Sequence, residues 1–435
     1  MDILKQVESL EKQMIALRRE LHKHPELSGE ENRTCALIGK KLTEAGVEWI
    51  DIPDGGVLGR IEGARPGRTV LLRADVDALP IDEDSCNMLC QKECVSSVPG
   101  VSHACGHDAH TAMLLTAARV LSASRNEFDG TVLLMFERGE EKTGNVIKIY
   151  RYLEDNHIHV DSCFALHVNA MLDSGLIAVN NGPVMASNVC FDIKIKGKSA
   201  HGSQPHLGAS PIDCFVAFYN TLHTIRMRRI SPFDPLTFSI GMLQSGSTNN
   251  IIPDELFLRG SSRFFRVEDG QIFKQTLTQT LDHVTQMYDC TYEYTLLRGP
   301  CMPVINDPEC APLAQQAIGS AIGAQRVCQC EPKMGSETFG KPIHMWPGVF
   351  ALLGVRNTAR GMTSDYHTPQ FDPDESSFKY GAAAYAAYAI AFLQSDVDPS
   401  PRSYQGDFAD MYEEQGVNQE MIDYLRGKTD ELFLG

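Results

Sequence analysis

The sequence predicts an α/β protein in which a mainly parallel sheet forms the larger domain and a smaller α+β domain is inserted into it. Apolar segments without alternation, separated by helical patterns, indicate strands that are buried on both faces, and they lie at 69–72, 131–136 and 163–166. After Gly182-Pro183 apolar and polar residues alternate, as in a sheet with one face in water. We therefore predict that the segment 183–302 is the inserted domain.

The first predicted element is an amphipathic helix at the start of the chain. Its apolar residues recur at alternating steps of four and three and form one stripe, which would pack on the sheet. The stripe consists of Ile3, Val7, Leu10, Met14, Leu17 and Leu21. His24-Pro25 is expected to end this helix, because proline lacks the amide hydrogen that a helix interior needs.

The elements that follow come from the same two periodicities. A helical pattern over 109–122 separates the buried strands of the first segment, 1–182. In the inserted domain, alternation over 189–196 predicts a strand with one exposed face. Further strands are predicted at 237–243 and 255–264, and helices at 211–229 and 271–288.

The remainder of the chain returns to the pattern of the larger domain. Over 303–396 we predict a second segment of that domain, with a strand at 349–353 and an alanine-rich helix over 376–393. A carboxyl-terminal extension, 397–435, contains a polar helical pattern from Met411 to Phe433. The sequence does not indicate what this extension does.

Charge and cysteine content limit the compartment and the partners. The 435-residue chain has a net charge of −17, which disfavours binding to nucleic acid and to anionic membranes. Its first residues contain no signal-peptide h-region, and the apolar stretch 382–393 is too short to span a bilayer. Thirteen cysteines without the spacing of a disulfide framework favour a reducing compartment. We therefore expect a cytoplasmic protein.

The segment from His103 to His110 concentrates metal-capable side chains directly ahead of an apolar helical run. Its metal-binding or proton-carrying residues are His103, Cys105, His107, Asp108 and His110. In an extended turn that leads into a helix, Cys105 and His107 can converge on one point, which favours a metal site over a buried thiol with surface histidines. The spacing of Cys86, Cys90 and Cys94 leaves a second metal site open as an alternative.

Acidic side chains follow two of the buried strands, at the edge where a parallel sheet places its ligands. Glu140 and Glu141 follow the strand 131–136, where one carboxylate would bind a metal and the other would move protons. A solvated helix start is the alternative. Asp75 and Asp77 end the first of these strands and would orient imidazole ligands, unless they only cap a turn.

Two histidines complete the candidate site. His167 closes the strand 163–166, where a hydrogen-bonded core histidine is the alternative. His367 lies in a Pro-bounded loop ahead of the last predicted helix of the larger domain, which suits metal ligation.

Seven motifs occur in a fixed order along the chain: HACGHDAH, a strand that ends in Glu-Glu, ALHV, AHGSQPH, NIIPDE, GSETF and YHTPQFD. Together they resemble the metal-dependent amidohydrolase branch of the aminoacylase and carboxypeptidase family. This branch includes hippurate hydrolases, N-acyl-amino-acid deacylases and hydrolases of auxin-amino-acid conjugates. The likeness covers about residues 10 to 395.

The resemblance implies a dinuclear-metal catalytic domain, formed by the segments 1–182 and 303–396, and an inserted lid domain that commonly dimerises. By matching position, the ligands of two divalent ions would be Cys105, His107, Glu141, His167 and His367. The ions would be zinc or manganese, with cobalt and nickel as alternatives. A hydroxide held between them would attack the amide carbonyl, and Glu140 would act as general base.

The resemblance also assigns residues outside the metal ligands. His201, which would otherwise be a surface loop histidine, would reach the active site of the partner subunit and bind the oxyanion. Asn250 would contact the substrate, and Gly335, Ser336 and Glu337 would line the pocket unless they only form a turn.

The chain departs from the family pattern at two places. Relatives usually have Gln-Pro-Ala ahead of the paired glutamates, where this chain has Glu137-Arg138-Gly139. They usually have Asp after the Ser-Glu pair, where this chain has Thr338. The first departure adds charge near the predicted site and the second removes a carboxylate.

The sequence thus predicts a cytoplasmic homodimeric hydrolase that cleaves the amide bond of N-acyl-L-amino acids. A dipeptidase or carboxypeptidase acting on unblocked peptides is the alternative within enzymes. A non-catalytic relative that binds ligands is the alternative outside them. Arg263, on a predicted lid strand, would hold a substrate carboxylate or form a surface salt bridge.

Overall fold

The computed structural model describes residues 2–142, 144–429 and 432. Its helices are α1 Ile3–Lys23, α2 Asn32–Glu44, α3 His107–Ala123, α4 Ile147–Asp155, α5 Pro211–Arg229, α6 Val267–Met287, α7 Cys310–Ile322, α8 Gly340–Met345, α9 Phe378–Gln394, α10 Phe408–Glu414 and α11 Gln419–Leu425. Its strands are β1 Glu48–Ile52, β2 Gly56–Glu62, β3 Thr69–Asp75, β4 Thr131–Glu137, β5 Ser162–Asp173, β6 Ile177–Ala178, β7 Pro183–Met185, β8 Ser187–Lys196, β9 Ala200–His201, β10 Leu236–Ser245, β11 Ile251–Ile252, β12 Glu255–Phe264, β13 Thr291–Arg298, β14 Val304–Ile305, β15 Val327–Cys328 and β16 Gly348–Arg356.

The larger sheet has eight strands in the order β1-β2-β4-β3-β5-β16-β6-β15. Its centre, β4-β3-β5-β16, is parallel throughout, so the carboxyl ends of these four strands lie at one edge. The prediction of a mainly parallel sheet within an α/β fold is therefore confirmed. The strands β1 and β2, which the sequence pattern did not predict, add an antiparallel margin beside β4.

Helices cover both faces of this sheet. Successive residues of β3 point to opposite sides, so Val70 and Leu72 pack under one set of helices and Leu71 under the other. The first face carries α1, α2, α3, α7 and α9, and the second carries α4, α8, α10 and α11. The predicted stripe of α1 is confirmed, because Val7, Met14 and Leu21 are buried.

The second sheet is antiparallel, with the order β10-β12-β8-β13. Its strands come from residues 187–298, and α5 and α6 pack against it. Phe191 and Ile193 on β8 form its core together with Phe218 and Leu277 from the two helices. Each strand and helix predicted in this part of the chain is present, whereas the domain limits at 182, 302 and 396 stay predictions.

The carboxyl-terminal extension forms two short helices rather than one continuous helix. Gly416 follows α10 with a φ of +72°, a left-handed backbone that ends the first helix. Phe433, the end of the predicted pattern, lies outside the described residues. Among the helices of the described residues, none combines the length and the apolar character that a membrane span requires.

Candidate metal centre

The site lies at the carboxyl edge of the parallel strands. β3 ends at Asp75, β4 is followed by Glu140 and Glu141, and β5 carries His167. Because β3 pairs in parallel with both β4 and β5, these side chains meet although they are distant in sequence.

A glycine turn places Cys105 and His107 on the same point. Gly106 has a φ of +85°, and a Cβ atom there would lie 2.6 Å from Val168 Cγ2, so a side chain would be both strained and crowded. α3 begins at the next residue, His107. The turn is therefore left-handed rather than extended, but it brings the two side chains together as the sequence analysis required.

The predicted ligands form two groups that share Cys105. Within each group the potential ligand atoms all lie within 4.8 Å of one another, and the groups are Cys105, His107, His167 and Cys105, Glu141, His367. Cys105 Sγ is 3.5 Å from His167 Nε2, and His367 Nε2 is 3.1 Å from Glu141 Oε1. The structure thus brings all five sequence-predicted ligands together. None of the metal-capable groups found in the described residues includes Cys86, Cys90 or Cys94.

Hydrogen bonds turn two imidazoles towards the cluster. His107 Nδ1 donates to Asp77 Oδ1 over 2.9 Å, and His167 Nδ1 donates to the carbonyl oxygen of Val168 over 2.7 Å. The Nε2 atom of each ring is therefore the one presented to Cys105. His107 Nε2 is buried and has no hydrogen-bond partner among the described residues, which is the state of a ligand atom that faces a cation position.

The other two histidines of the motif do not extend the cluster. His110 Nδ1 donates to Asp75 Oδ1 over 2.6 Å, and its Nε2 accepts from the amide of Val168 over 2.9 Å. Both nitrogens are used, so His110 holds α3 against β3 and β5. His103 is buried without a hydrogen-bond partner in the described part of the chain, and burial lowers its pKa to about 4.

Asp77 connects the ligands to each other. While one of its oxygens accepts from His107, the other accepts from Ser28 Oγ over 2.7 Å and from the amide of Glu141 over 3.0 Å. A single buried carboxylate therefore orients an imidazole and fixes the backbone of the neighbouring ligand.

Glu140 lies beside the ligands and is held by a backbone donor. The amide of Thr338 donates to Glu140 Oε1 over 3.1 Å. Burial and the nearby carboxylate of Glu337 raise the pKa of Glu140 well above its ordinary value. Glu140 also forms a further close group with His107 and Glu141.

Sequence reasoning missed Arg73, which lies on β3 beneath this edge. It is 2% exposed and pairs with the carboxylates of Asp75, Glu137 and Glu337. The available signal was a basic residue inside an otherwise apolar strand, because a buried cation requires partners.

The segment 335–338 joins the carboxyl edge of the parallel strands to the second sheet. Ser336 Oγ accepts from Asn188 Nδ2 and from Arg263 Nη1, each over 3.0 Å. Among the described residues Arg263 forms this bond to a hydroxyl group and no salt bridge, and its contact with a substrate carboxylate stays a prediction. Gly335 precedes this contact, and Glu337 turns towards Arg73.

His201 and Asn250 lie together at a separate two-stranded sheet, β9-β11. The strands β9 and β11 pair, and the amide of Gly202 donates to the carbonyl oxygen of Asn250 over 2.8 Å. Both side chains are exposed, and His201 Nδ1 is 2.7 Å from Ser203 Oγ. Within the described residues, no hydrogen bond joins either side chain to the metal-ligand cluster of its own chain.

The donor set has the chemistry of a divalent-cation site. One thiol, three imidazoles and a carboxylate converge, and the five ligands can serve two ions if solvent completes the coordination. Burial raises the pKa of the Cys105 thiol above its ordinary value, so a nearby cation is what would favour the thiolate. The unpartnered His107 Nε2 supports the same interpretation.

Comparisons with known proteins agree on one family. The sequence profile of peptidase family M20/M25/M40 matches residues 71–391. The chain is 34% identical over 390 residues to thermostable carboxypeptidase 1 of Saccharolobus solfataricus. The aligned residues cover 89% of this chain and 97% of that protein. It is 33% identical over 385 residues to the N-acetyl-L-cysteine deacetylase of Bacillus subtilis, covering 88% of each chain. A crystal structure from Bacillus subtilis, described as a dinuclear metal binding peptidase from the M20 family, superposes with a TM-score of 0.75 at 30% identity, covering 89% of this chain and 99% of that one.

Proposed function

The chain is a hydrolase of amide bonds that belongs to peptidase family M20/M25/M40, and we propose that it removes the acyl group from N-acyl-L-amino acids or related amino-acid conjugates. The products would be a carboxylic acid and a free amino acid. The observation that carries this proposal is the pair of ligand groups that share Cys105 and lie directly beside Glu140. The deacetylase relative and the ordered motifs support the acylated substrate class.

We propose that two divalent cations are held by Cys105, His107, Glu141, His167 and His367. When bound, such cations lower the pKa of a coordinated water and polarise the amide carbonyl. Zinc suits the thiol and imidazole donors, and manganese suits the carboxylates, with cobalt and nickel as further candidates. Asp77 and the Val168 carbonyl would keep His107 and His167 in the tautomer that presents Nε2.

Glu140 would carry the proton through the reaction. It would take a proton from the attacking water and deliver it to the nitrogen of the leaving amine. Its position beside the ligand groups supports this role, because a general base has to lie within reach of the protons that it moves. The bond from the Thr338 amide would keep the carboxylate in place.

His201 and Asn250 would act in the active site of a second copy of the chain. Two observations support this placement: both side chains are exposed, and among the described residues their hydrogen bonds are local, which leaves them accessible to a second copy. Asn250 would contact the substrate, and Gly335, Ser336 and Glu337 would line the pocket. Arg263, bonded to Ser336, would face the carboxylate end of the substrate.

An exposed face of the second sheet supports a homodimer. β10 is an edge strand, and the neighbouring helix α5 exposes Ile212, Val216 and Tyr219 at 41%, 50% and 37%. These residues are spaced by four and three and therefore form one apolar stripe. A symmetric contact between two copies would pair the unpaired edge of β10 and cover the exposed apolar stripe of α5 at the same time.

We also propose that the enzyme works in a reducing, cytoplasmic compartment. All thirteen cysteines are free, including Cys105, whose proposed role requires a reduced thiol.

The second candidate activity is that of a carboxypeptidase or dipeptidase on unblocked peptides. The 34% identity to a thermostable carboxypeptidase favours it. Such a substrate carries a free ammonium group, which would need an acceptor near the acyl end of the pocket.

A substrate panel separates the two activities. The metal-free protein would be reconstituted with manganese or zinc and assayed on acetyl-methionine, N-acetyl-cysteine and hippurate, beside the dipeptides Ala-Met and Gly-Phe. We expect kcat/KM for the acylated amino acids to exceed that for the dipeptides. Faster cleavage of the dipeptides would favour the peptidase, and no hydrolysis of any amide with either metal would contradict both.

A further inference from the structure

Arg73 is a buried cation in which each nitrogen of the guanidinium donates a hydrogen bond. Its Nε donates to Glu137 Oε2 over 2.7 Å and its Nη1 to Asp75 Oδ2 over 2.8 Å. Its Nη2 donates to Glu337 Oε1 over 3.0 Å and to Thr338 Oγ1 over 2.8 Å. An arginine that is 2% exposed and has three carboxylate partners has little freedom to move, because each displacement would break a charged hydrogen bond at a place that water does not reach.

Two of these partners lead on to the reacting groups. Asp75 holds His110, which in turn holds the amide of Val168 beside His167. Thr338 bonds Arg73 through its hydroxyl group and bonds Glu140 through its amide. Arg73 is therefore two contacts away from the proposed base.

Glu137 is the partner of the guanidinium at Nε, and its carboxylate also lies near the Thr338 hydroxyl group. Its Oε2 is the acceptor for Arg73 Nε, and its other oxygen, Oε1, is buried with no hydrogen-bond partner in the described residues. Glu137 is fully buried at the end of β4, three residues before Glu140. Among the described residues, the hydrogen bond of Glu137 in this cluster is with Arg73, with the Thr338 hydroxyl group close by, and none joins Glu137 to the metal-ligand atoms.

We propose that Glu137, Arg73 and Thr338 form a positioning relay that fixes the carboxylate of Glu140. Glu137 sets the orientation of the guanidinium, the guanidinium holds the Thr338 hydroxyl group, and the Thr338 amide holds Glu140. The inference rests on the proposed role of Glu140 as general base.

The relay also links the two departures from the family pattern. Glu137, which adds a carboxylate, and Thr338, which stands where relatives usually have one, both accept a hydrogen bond from the same guanidinium. The two departures therefore offset each other in the number of negative charges next to Arg73. A chain with a carboxylate at both 137 and 338, or with a neutral side chain at both, would have one negative charge more or one fewer around the buried guanidinium than this chain has.

The test uses two single variants, E137Q, which removes a carboxylate beside Arg73, and T338D, which adds one, together with the double variant E137Q/T338D. E137Q should lower kcat by about tenfold or more with KM and bound metal unchanged, since a displaced catalytic group can cost up to about 100-fold. T338D should also lower kcat, because a fourth carboxylate would crowd Glu337. The double variant should recover most of the loss, because it restores the number of charges around Arg73.

A second readout does not depend on activity. Amide hydrogen exchange of the segment that contains Thr338 should be faster in E137Q than in the parent and should slow again in the double variant, because the exchanging amide is the one that holds Glu140. D192N is the matched control: it removes one carboxylate from an arginine pair, Asp192 with Arg259, in the second sheet. D192N should change neither kcat relative to the parent nor the exchange rate of the segment that contains Thr338.

The outcomes are separable from those of the proposed function. Unchanged exchange at Thr338 in E137Q, a kcat within twofold of the parent, or losses that simply multiply in the double variant would each overturn the relay. A parent that is inactive on every amide would contradict the proposed function instead, while the exchange experiment would still decide whether Glu137 controls the Thr338 amide.

Discussion

His107 and His110 lie one helical turn apart on α3, and the structure gives them different tasks. Asp77 takes one nitrogen of His107 and leaves the other free, whereas Asp75 and Val168 occupy both nitrogens of His110. The spacing of the motif cannot make this distinction, because the deciding partners lie on β3 and β5, which are distant in the sequence. The type of site could be predicted from the residues, but the ligand set came from the family resemblance.

The same limit explains why Arg73 and the effect of Glu137 were missed. The sequence showed an extra charge ahead of the paired glutamates and a lost carboxylate at Thr338, but not that both contact one guanidinium. The register of β3 against β4 places Glu137 near Arg73, and Thr338 comes from a third segment, directly ahead of α8.

At the residue scale, replacing Glu140 by Gln tests its role as base. We expect kcat to fall by about 10²- to 10⁴-fold, because the amide keeps the shape of the side chain and loses proton transfer. The five proposed ligands remain, so steady-state kinetics should be paired with metal analysis, which should be unchanged. An active variant would contradict the base, and lost metal would make Glu140 a ligand, as its proximity to His107 and Glu141 allows.

At the scale of elements, α1 does more than cover the sheet. The predicted apolar stripe is confirmed, but the helix also buries Arg18 and His22, which bind Asp108 at the start of α3 over 2.8 and 2.7 Å. The Nε2 atom of His22 lies 3.0 Å from Oε1 of Glu83, in the loop that precedes the HACGHDAH motif. Periodicity predicted where α1 packs, but it could not predict buried ion pairs between segments far apart in the chain.

The Glu83 contact predicts a pH-dependent contribution to stability. Burial opposes the ionised form of Glu83, but bonds from His22 and Lys92 outweigh it and lower its pKa to about 2. Because this folded-state value lies below the unfolded one, the contribution is complete above the unfolded pKa of about 4.3 and is lost as the pH falls towards 2.

E83Q should therefore unfold at lower urea concentration than the parent at pH 7, and the difference should narrow between pH 5 and pH 2.5. The measurement is the free energy of unfolding of both chains across that range. E62Q is the control, because Glu62 is an exposed partner of Arg60 and should matter little at any pH. A parent-to-E83Q difference that stays constant with pH would rule out the titration of Glu83.

The carboxyl-terminal extension is the element whose role the sequence did not indicate. It lies beyond the family match at 71–391, and its helix α10 packs on the second face of the large sheet. Phe408 stacks on Tyr150 with ring centroids 4.0 Å apart, and the amide of Gly299, next to the end of β13, donates to the Gln415 carbonyl over 2.7 Å. The extension therefore contacts both sheets at once.

F408A tests whether the extension is an integral part of the core. Phe408 is 1% exposed, so we expect a loss of about 3–5 kcal/mol in the free energy of unfolding, from lost burial and the cavity left behind. Chemical denaturation should show this loss, while L89A, at a residue 72% exposed, should stay within about 0.5 kcal/mol of the parent. A small effect of F408A would instead indicate an extension that detaches without cost.

For the whole molecule, the α/β fold and the change to a second sheet could be predicted because each depends on a local period of residues. The edge strand β1 could not, since it is mostly exposed and carries no clean alternation, and β2, which pairs between β1 and β4, was missed with it. The relation between the two sheets also has no local signal. It is set by single contacts such as Ser336 with Asn188 and Arg263.

The placement of His201 is decided at the scale of the dimer. Within its own chain it is exposed and bonded to Ser203, so we propose that it acts across an interface. H201A alone should lower kcat with little effect on stability, since an exposed loop side chain contributes little to folding. The informative experiment combines chains that each lack one half of the composite site.

If His201 acts in the partner's site, mixing H201A with E140Q chains should restore activity. Random exchange makes about half of the dimers mixed, each with one intact site out of two, so about a quarter of the parental activity is expected. The converse mixture, parental chains with the double variant H201A/E140Q, provides the control. Its mixed dimers should be inactive if His201 acts across the interface, because the only site with Glu140 would receive Ala from its partner. If His201 acts within its own chain, the first mixture stays inactive and mixed dimers of the second retain one working site.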